Sequence, residues 1–325
     1  SSPMLKISDL KTFFYTREGI AKAVNGVSFG IAKGEIIGVV GESGCGKSIT
    51  ALSTLKLIPY PGKIVSGSIQ LHGKSLLDLP EKAIRKIRGD RISMIFQEPM
   101  VSLNPAYTIG NQLTEALLIH RRISKQEARN RAIDMLKAVE IPSPEKRIDD
   151  YPHQLSGGMR QRAMIAEALL LNPDVLLADE PTTALDVTIQ AQVLDIICRL
   201  TQQRGTAIML ITHNMGIVEE YTRRVVVMYA GRIAEKGPTR NILEQPGHPY
   251  TQGLLKSRPG IHQDGKKPAS RLQEMKGIVP SLFDLPEGCL FHPRCPVCQE
   301  RCKHEDPPCV ELSPEHVVCC WNCYD

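Results

Sequence analysis

Short, continuous apolar runs alternate along this chain with longer segments whose apolar residues return every three or four positions. Glu35-Ile36-Ile37-Gly38-Val39-Val40 is a compact apolar run, the pattern of a buried strand. Ile92-Ser93-Met94-Ile95-Phe96, Val175 to Ala178 and Ala207 to Thr212 read the same way. Lys47 to Leu57 has a helical pattern, and so does Thr108 to about Val139. In the latter, Ala132, Met135, Leu136 and Val139 fall on one face. Strands separated by helices predict a mostly parallel sheet with helices on both faces, an α/β fold. The pattern fades after Leu255. Pro, Gly and Lys accumulate from Arg258 to Ser270, which reads as a linker, and a tail rich in cysteine and proline follows.

Composition refines this picture. The 325 residues leave room for a core domain and an extension. Aromatics are 5% of the chain, so aliphatic side chains must fill the core. A net charge of +5 suits a polyphosphate ligand or an anionic surface and is too weak to indicate nucleic acid. No apolar run reaches the ~18 residues needed to cross a bilayer. With no signal-peptide pattern either, a cytosolic location is expected. Of ten cysteines, Cys45 and Cys198 lie in the body and eight lie from Cys289 to Cys323. Disulfides are not expected in the cytosol, so such a cluster suggests metal.

Gly41-Glu42-Ser43-Gly44-Cys45-Gly46-Lys47-Ser48 fits G-x-x-x-x-G-K-[ST] between a predicted strand and a predicted helix. Its glycines let backbone N–H groups turn toward phosphate oxygens, and the helix N-terminus adds partial positive charge. Lys47 is placed to reach the β- and γ-phosphates, and Ser48, followed by Ile49, to ligate Mg²⁺. Val175-Leu176-Leu177-Ala178-Asp179-Glu180 is an apolar strand ending in two carboxylates, at the edge where open α/β sheets bind ligands. Asp179 is expected to hold Mg²⁺, and Glu180 to orient and deprotonate the attacking water.

With these motifs in place, the chain resembles the ABC transporter ATPases over roughly residues 4–255. Leu155-Ser156-Gly157-Gly158-Met159-Arg160-Gln161 matches their signature loop, with Met159 where Gln is common. A hydroxyl, two glycines and a helix starting at about Met159 would make a second phosphate-facing loop. The resemblance assigns Gln97 to the Q-loop, touching Mg²⁺, and Ala184-Leu185-Asp186 to the D-loop. It makes His213 the switch histidine at the γ-phosphate, and places Phe14 on the adenine with Phe13 and Tyr15 as neighbours. It implies a P-loop NTPase fold with an N-terminal antiparallel β subdomain. A helical subdomain is expected at about 98–165, within an ATPase domain at 1–255 and ahead of a cysteine-rich extension at 256–325. It also implies a dimer in which one subunit's signature loop completes the other's ATP site.

Several stretches look like the oligopeptide/dipeptide importer branch, among them Phe96 to Pro105, Tyr151 to Leu155, His248 to Gln252 and Gly288 to Cys295. Nickel or other small-solute importers share much of this branch, and a non-transport ABC ATPase is the rival outside it. The branch implies two transmembrane permeases, a second ATPase subunit, an external binding protein and a place at the cytoplasmic face of the inner membrane. The tail allows two metal sets. The pairs Cys295–Cys298 and Cys320–Cys323 suggest a zinc ribbon. The resemblance instead selects Cys289, Cys295, Cys302 and Cys320 for a [4Fe–4S] cluster, with Cys319 as a substitute for Cys320.

Overall fold

The computed structural model describes residues 2–97, 102–182, 185–257 and 275–324. The predicted linker at 258–270, Ala184 of the D-loop and positions 98–101 lie outside the described residues. The chain divides into two compact units.

The first unit holds residues 1–5, 31–36 and 70–211. Val175–Asp179 is the central member of three parallel strands, flanked by Ile92–Ile95 and Ala207–Ile211. All five residues of Val175–Asp179 and of Ala207–Ile211 are buried, which is why neither strand shows polar alternation. The predicted helix from Thr108 to Val139 is two helices, Ile109–His120 and Lys125–Ala138. Thr108 caps the first by accepting from Asn111 N, and Ser124 caps the second by accepting from Glu127 N. Each cap satisfies an N–H that a helix start leaves orphaned. Apolar periodicity carries across such a break, so it hid the Ser124 stop and restart.

The second unit holds residues 6–30, 37–69 and 212–325. Its N-terminal strands, Leu5–Thr16 and Gly19–Ile31, are joined by Arg17 and Glu18 alone, a connection that permits only antiparallel pairing. Gly62–Leu71 pairs on the other side of Leu5–Thr16. In a second sheet, Ile36–Val40 runs parallel to Arg224–Tyr229, which is antiparallel to Arg232–Pro238.

The tail joins this second sheet. His316–Cys319 pairs antiparallel with Arg232–Pro238, and Cys309–Ser313 pairs with His316–Cys319. Two buried side chains anchor it from the other end. Leu290 and Phe291 enter the core beside Tyr229 and Tyr250, with the Phe291 ring edge-on to Tyr229 at 5.2 Å. Burying one such phenyl group stabilises by about 2 kcal/mol. Glu235 is fully buried, accepts from the N–H groups of Gly247 and His248, and faces His316 Nε2 at 2.6 Å.

Cys309 and Cys319 stand opposite each other in the tail hairpin and form a disulfide. This corrects the expectation of a chain without disulfides, and it removes Cys319 as a substitute for Cys320. Among the described residues no helix is long and apolar enough to cross a membrane.

Candidate functional site

The phosphate loop leaves the strand Ile36–Val40 and ends at the helix Lys47–Thr54, the context its sequence demanded. Gly41 has φ +151°, and a Cβ there would stand 2.3 Å from Met228 O and 2.7 Å from Cys45 Sγ. Gly46 has φ +99°, and its Cβ would meet Ala23 O at 2.3 Å. Neither position admits a side chain, so these glycines set the path of the loop. Ser43 and Gly44 are exposed, while Ser48 and Ile49 are half-buried at the helix start. Lys47 is buried and folded over the loop. Its Nζ donates to Gly41 O at 2.7 Å and to Glu42 O at 2.9 Å. Burial pushes the Cys45 thiol up even though Lys47 Nζ lies 3.5 Å away.

Two other expected residues belong to the same unit. Thr212 N donates to Val39 O, which holds the exposed His213 at the strand edge where Gly41 begins. Thr12 Oγ1 is 2.8 Å from Ser53 Oγ of the helix that follows the phosphate loop. Phe14, two residues on, shares that face of its strand and packs on Gly62, where a Cβ would lie 2.7 Å from its ring. Phe13 and Tyr15 point the other way, toward Lys22 and Lys63.

The first unit carries the carboxylates. Asp179 is buried at the end of its strand. Glu180 follows with φ +44°, a conformation that costs a non-glycine residue of order 1–3 kcal/mol. Its N–H donates to Ile211 O, and its Oε2 accepts from Gln97 Nε2 at 3.2 Å. Gln97, expected in the Q-loop, and the candidate base are therefore in direct contact.

The signature residues sit at a helix start. The helix is Gly157–Leu169, two residues earlier than the sequence placed it, because Ser156 is its N-cap and accepts from Met159 N. Ser156 and Gly157 are exposed, Gly158, Met159 and Arg160 are half-buried, and Leu155 is buried. Gln161 is buried and donates to Pro181 O, directly after Glu180. Asp186 caps the helix Val187–Arg204, accepting from Ile189 N at 2.9 Å.

The cysteine tail departs from expectation. Among the described residues no group of three or more His, Cys, Asp or Glu side chains is arranged so that it could hold a metal ion. The expected iron–sulfur ligands are thus not drawn together at ligand spacing. They are still neighbours. Burial pushes the Cys289 thiol up to about 11, and Cys302, Cys320 and Cys295 add to that rise through their charges. Cys295 and Cys320 are raised for the same two reasons, and Cys302 and Cys320 are buried.

Sequence reasoning missed two residues that touch the phosphate loop. Arg294 makes a two-point ion pair with the Glu42 carboxylate, and Tyr250 Oη accepts from Glu42 N at 2.8 Å. Both lie more than two hundred positions along the chain, beyond any periodic signal.

Comparison with known proteins follows the same outline. The family model described as ABC transporter matches residues 24–183. The one described as oligopeptide/dipeptide transporter, C-terminal region, matches residues 234–302. A probable peptide ABC transporter ATP-binding protein of Sinorhizobium fredii is 50% identical over 320 residues, covering 98% of this chain and 95% of that protein. The dipeptide transport ATP-binding protein of Escherichia coli is 45% identical over 304 residues, covering 94% and 92%. Among solved structures, the dimeric ATP-binding cassette MJ0796, in a post-hydrolysis state bound to ADP and phosphate, superposes with a TM-score of 0.66 at 29% identity, over 73% of this chain and 99% of that one.

Proposed function

The chain belongs to the ABC transporter ATP-binding proteins of the peptide-import family, and from that premise we propose that its ATP hydrolysis drives uptake of di- and oligopeptides through transmembrane permeases. One observation carries the enzymatic part. A loop whose path excludes side chains at Gly41 and Gly46 delivers buried Lys47 to the start of a helix. Such a loop is a polyphosphate cradle.

The roles follow from the chemistry of each group. Lys47 and the N–H groups of Gly41 to Ile49 take the phosphates of ATP. Phe14 stacks on the adenine, supported by its position on the face shared with Thr12. Ser48, Asp179 and Gln97 would supply oxygen ligands for Mg²⁺, and the ion would neutralise phosphate charge. Glu180 takes the proton of the attacking water, and His213 contacts the γ-phosphate. Leu155 to Gln161 and Asp186 face the nucleotide of a second ATPase subunit. The full assembly is two permeases, this chain with a second ATPase subunit and an external peptide-binding protein, at the cytoplasmic face of the inner membrane.

Cys289, Cys295, Cys302 and Cys320 would hold a [4Fe–4S] cluster, and binding it would have to draw them closer than they stand here. The donor set supports this. Burial and neighbouring thiol charges raise Cys289, Cys295 and Cys320, and the four cysteines offer soft ligands only.

Uptake tests the whole reading. In vesicles carrying this chain, the second ATPase subunit and the permeases, supplied with the external binding protein, ATP should drive entry of a labelled dipeptide and not of nickel ion. ATP turnover unaffected by the permeases, or uptake of nickel alone, would contradict it.

A further inference from the structure

The cysteine-rich tail reaches the phosphate loop through one side chain. Arg294 Nη1 donates to Glu42 Oε2 at 2.8 Å, and Nη2 donates to Oε1 at 3.0 Å. The arginine side chain is only 4% exposed. A parallel two-point pair of this kind is directional, and a lysine cannot reproduce it. Other groups hold the guanidinium in place. Nε donates to Lys276 O at 3.3 Å, and the group lies 5.9 Å from the ring centres of both Tyr229 and Phe291.

Glu42 is fixed from three sides. Arg294 holds its carboxylate, Tyr250 Oη accepts from its N–H, and Lys47 Nζ donates to its carbonyl. Its charge stands in a loop built to receive phosphates, where an unpaired carboxylate would repel them. Arg294 cancels that charge. It also follows Phe291, fixed in the core, and immediately precedes Cys295 in the cysteine cluster. A shift of the tail therefore moves the group that neutralises Glu42.

We propose that Arg294 is a positioning residue for nucleotide binding. It neutralises and orients Glu42, so that the phosphate loop accepts MgATP at full affinity only with the tail seated. The inference rests on the reading of Gly41 to Ser48 as the ATP loop. Arg294 acts through Glu42 and does not itself contact nucleotide.

The test is calorimetric titration of the full chain with MgATP, alongside thermal unfolding of the same samples. Arg294→Met should weaken binding about tenfold or more, because it leaves Glu42 charged and unpaired. Arg294→Lys should fall between, since the charge stays and the fork is lost. Adding Glu42→Gln to Arg294→Met should restore affinity to within about threefold of wild type. A merely structural role gives no such rescue: it lowers the unfolding temperature of every variant and leaves affinity unrelated to the charge on Glu42. Wild-type affinity in Arg294→Met, or a double variant no better than the single, overturns the inference. Should Arg294→Met fail to fold, Arg294→Lys with and without Glu42→Gln decides the same question. Lys47→Ala separates the two levels. If it abolishes binding while Arg294→Met binds normally, only this inference fails. If wild type and Lys47→Ala bind alike, the ATP-loop reading fails.

Discussion

The side-chain amide of Gln97 donates to Oε2 of Glu180 at 3.2 Å. Glu180 is held at both backbone and side chain. Its backbone is left-handed, its N–H is tied to Ile211 O, and its carboxylate is oriented by that amide. A carboxylate that must take a proton from water benefits from fixed orientation. Gln97→Ala should lower the ATP turnover number by roughly 10- to 100-fold while changing the KM for ATP much less. Steady-state phosphate release over a range of MgATP concentrations gives both values. An unchanged turnover number would remove Gln97 from the catalytic arrangement.

The tail makes a compositional prediction. Anaerobically purified protein should contain about four irons and four sulfides per chain. Ser at Cys289, Cys295, Cys302 or Cys320 should each abolish them, while Ser at Cys298 or Cys323 should not. Metal analysis and visible absorption read the outcome. One zinc and no iron, lost in Cys298→Ser, would replace the cluster with a zinc ribbon.

Glu167 offers a pH test of burial. It lies in the helix Gly157–Leu169, and burial pushes its carboxyl up to about 7. The folded chain then holds this proton more tightly than the unfolded chain does. The stability it confers is present at low pH and is lost as pH rises from the ordinary carboxylate range through about 7. Glu167→Gln should therefore gain on wild type by about 1–3 kcal/mol between pH 5 and pH 8. Denaturant unfolding at the two pH values checks it. A difference independent of pH would mean that Glu167 is ionised throughout.

How far the sequence reached depends on how local each signal was. Val175–Asp179 was legible because both its faces are buried, so its apolar run is unbroken. The phosphate loop was legible because no side chain fits at Gly41 or Gly46, which fixes glycine at that spacing ahead of Lys47. The strand Leu5–Thr16 was not located from its pattern. Asp9 has φ +44°, and the buried positions switch there from Leu5 and Ile7 to Leu10 and Thr12. A bend of that kind breaks the two-residue alternation that marks a strand. The tail hairpin was hidden by composition. Cys309–Ser313 is mostly exposed, and its place is set by pairing with His316–Cys319, which itself pairs with a distant strand. Arg294 was invisible for the same reason. Its neighbours in sequence are cysteines and prolines, and its chemical neighbour is Glu42, 252 positions away.

Glu180 as the base for ATP hydrolysis is tested most directly by Glu180→Gln. The substitution keeps the shape and the hydrogen-bonding reach of the side chain and removes its basicity. Phosphate release from MgATP should be measured for wild type and variant together with the second ATPase subunit and the permeases, with nucleotide affinity titrated in the same preparations. With Glu180 as the base, MgATP affinity should be unchanged and turnover reduced roughly a hundred- to ten-thousand-fold. Turnover near the wild-type rate in Glu180→Gln would contradict it.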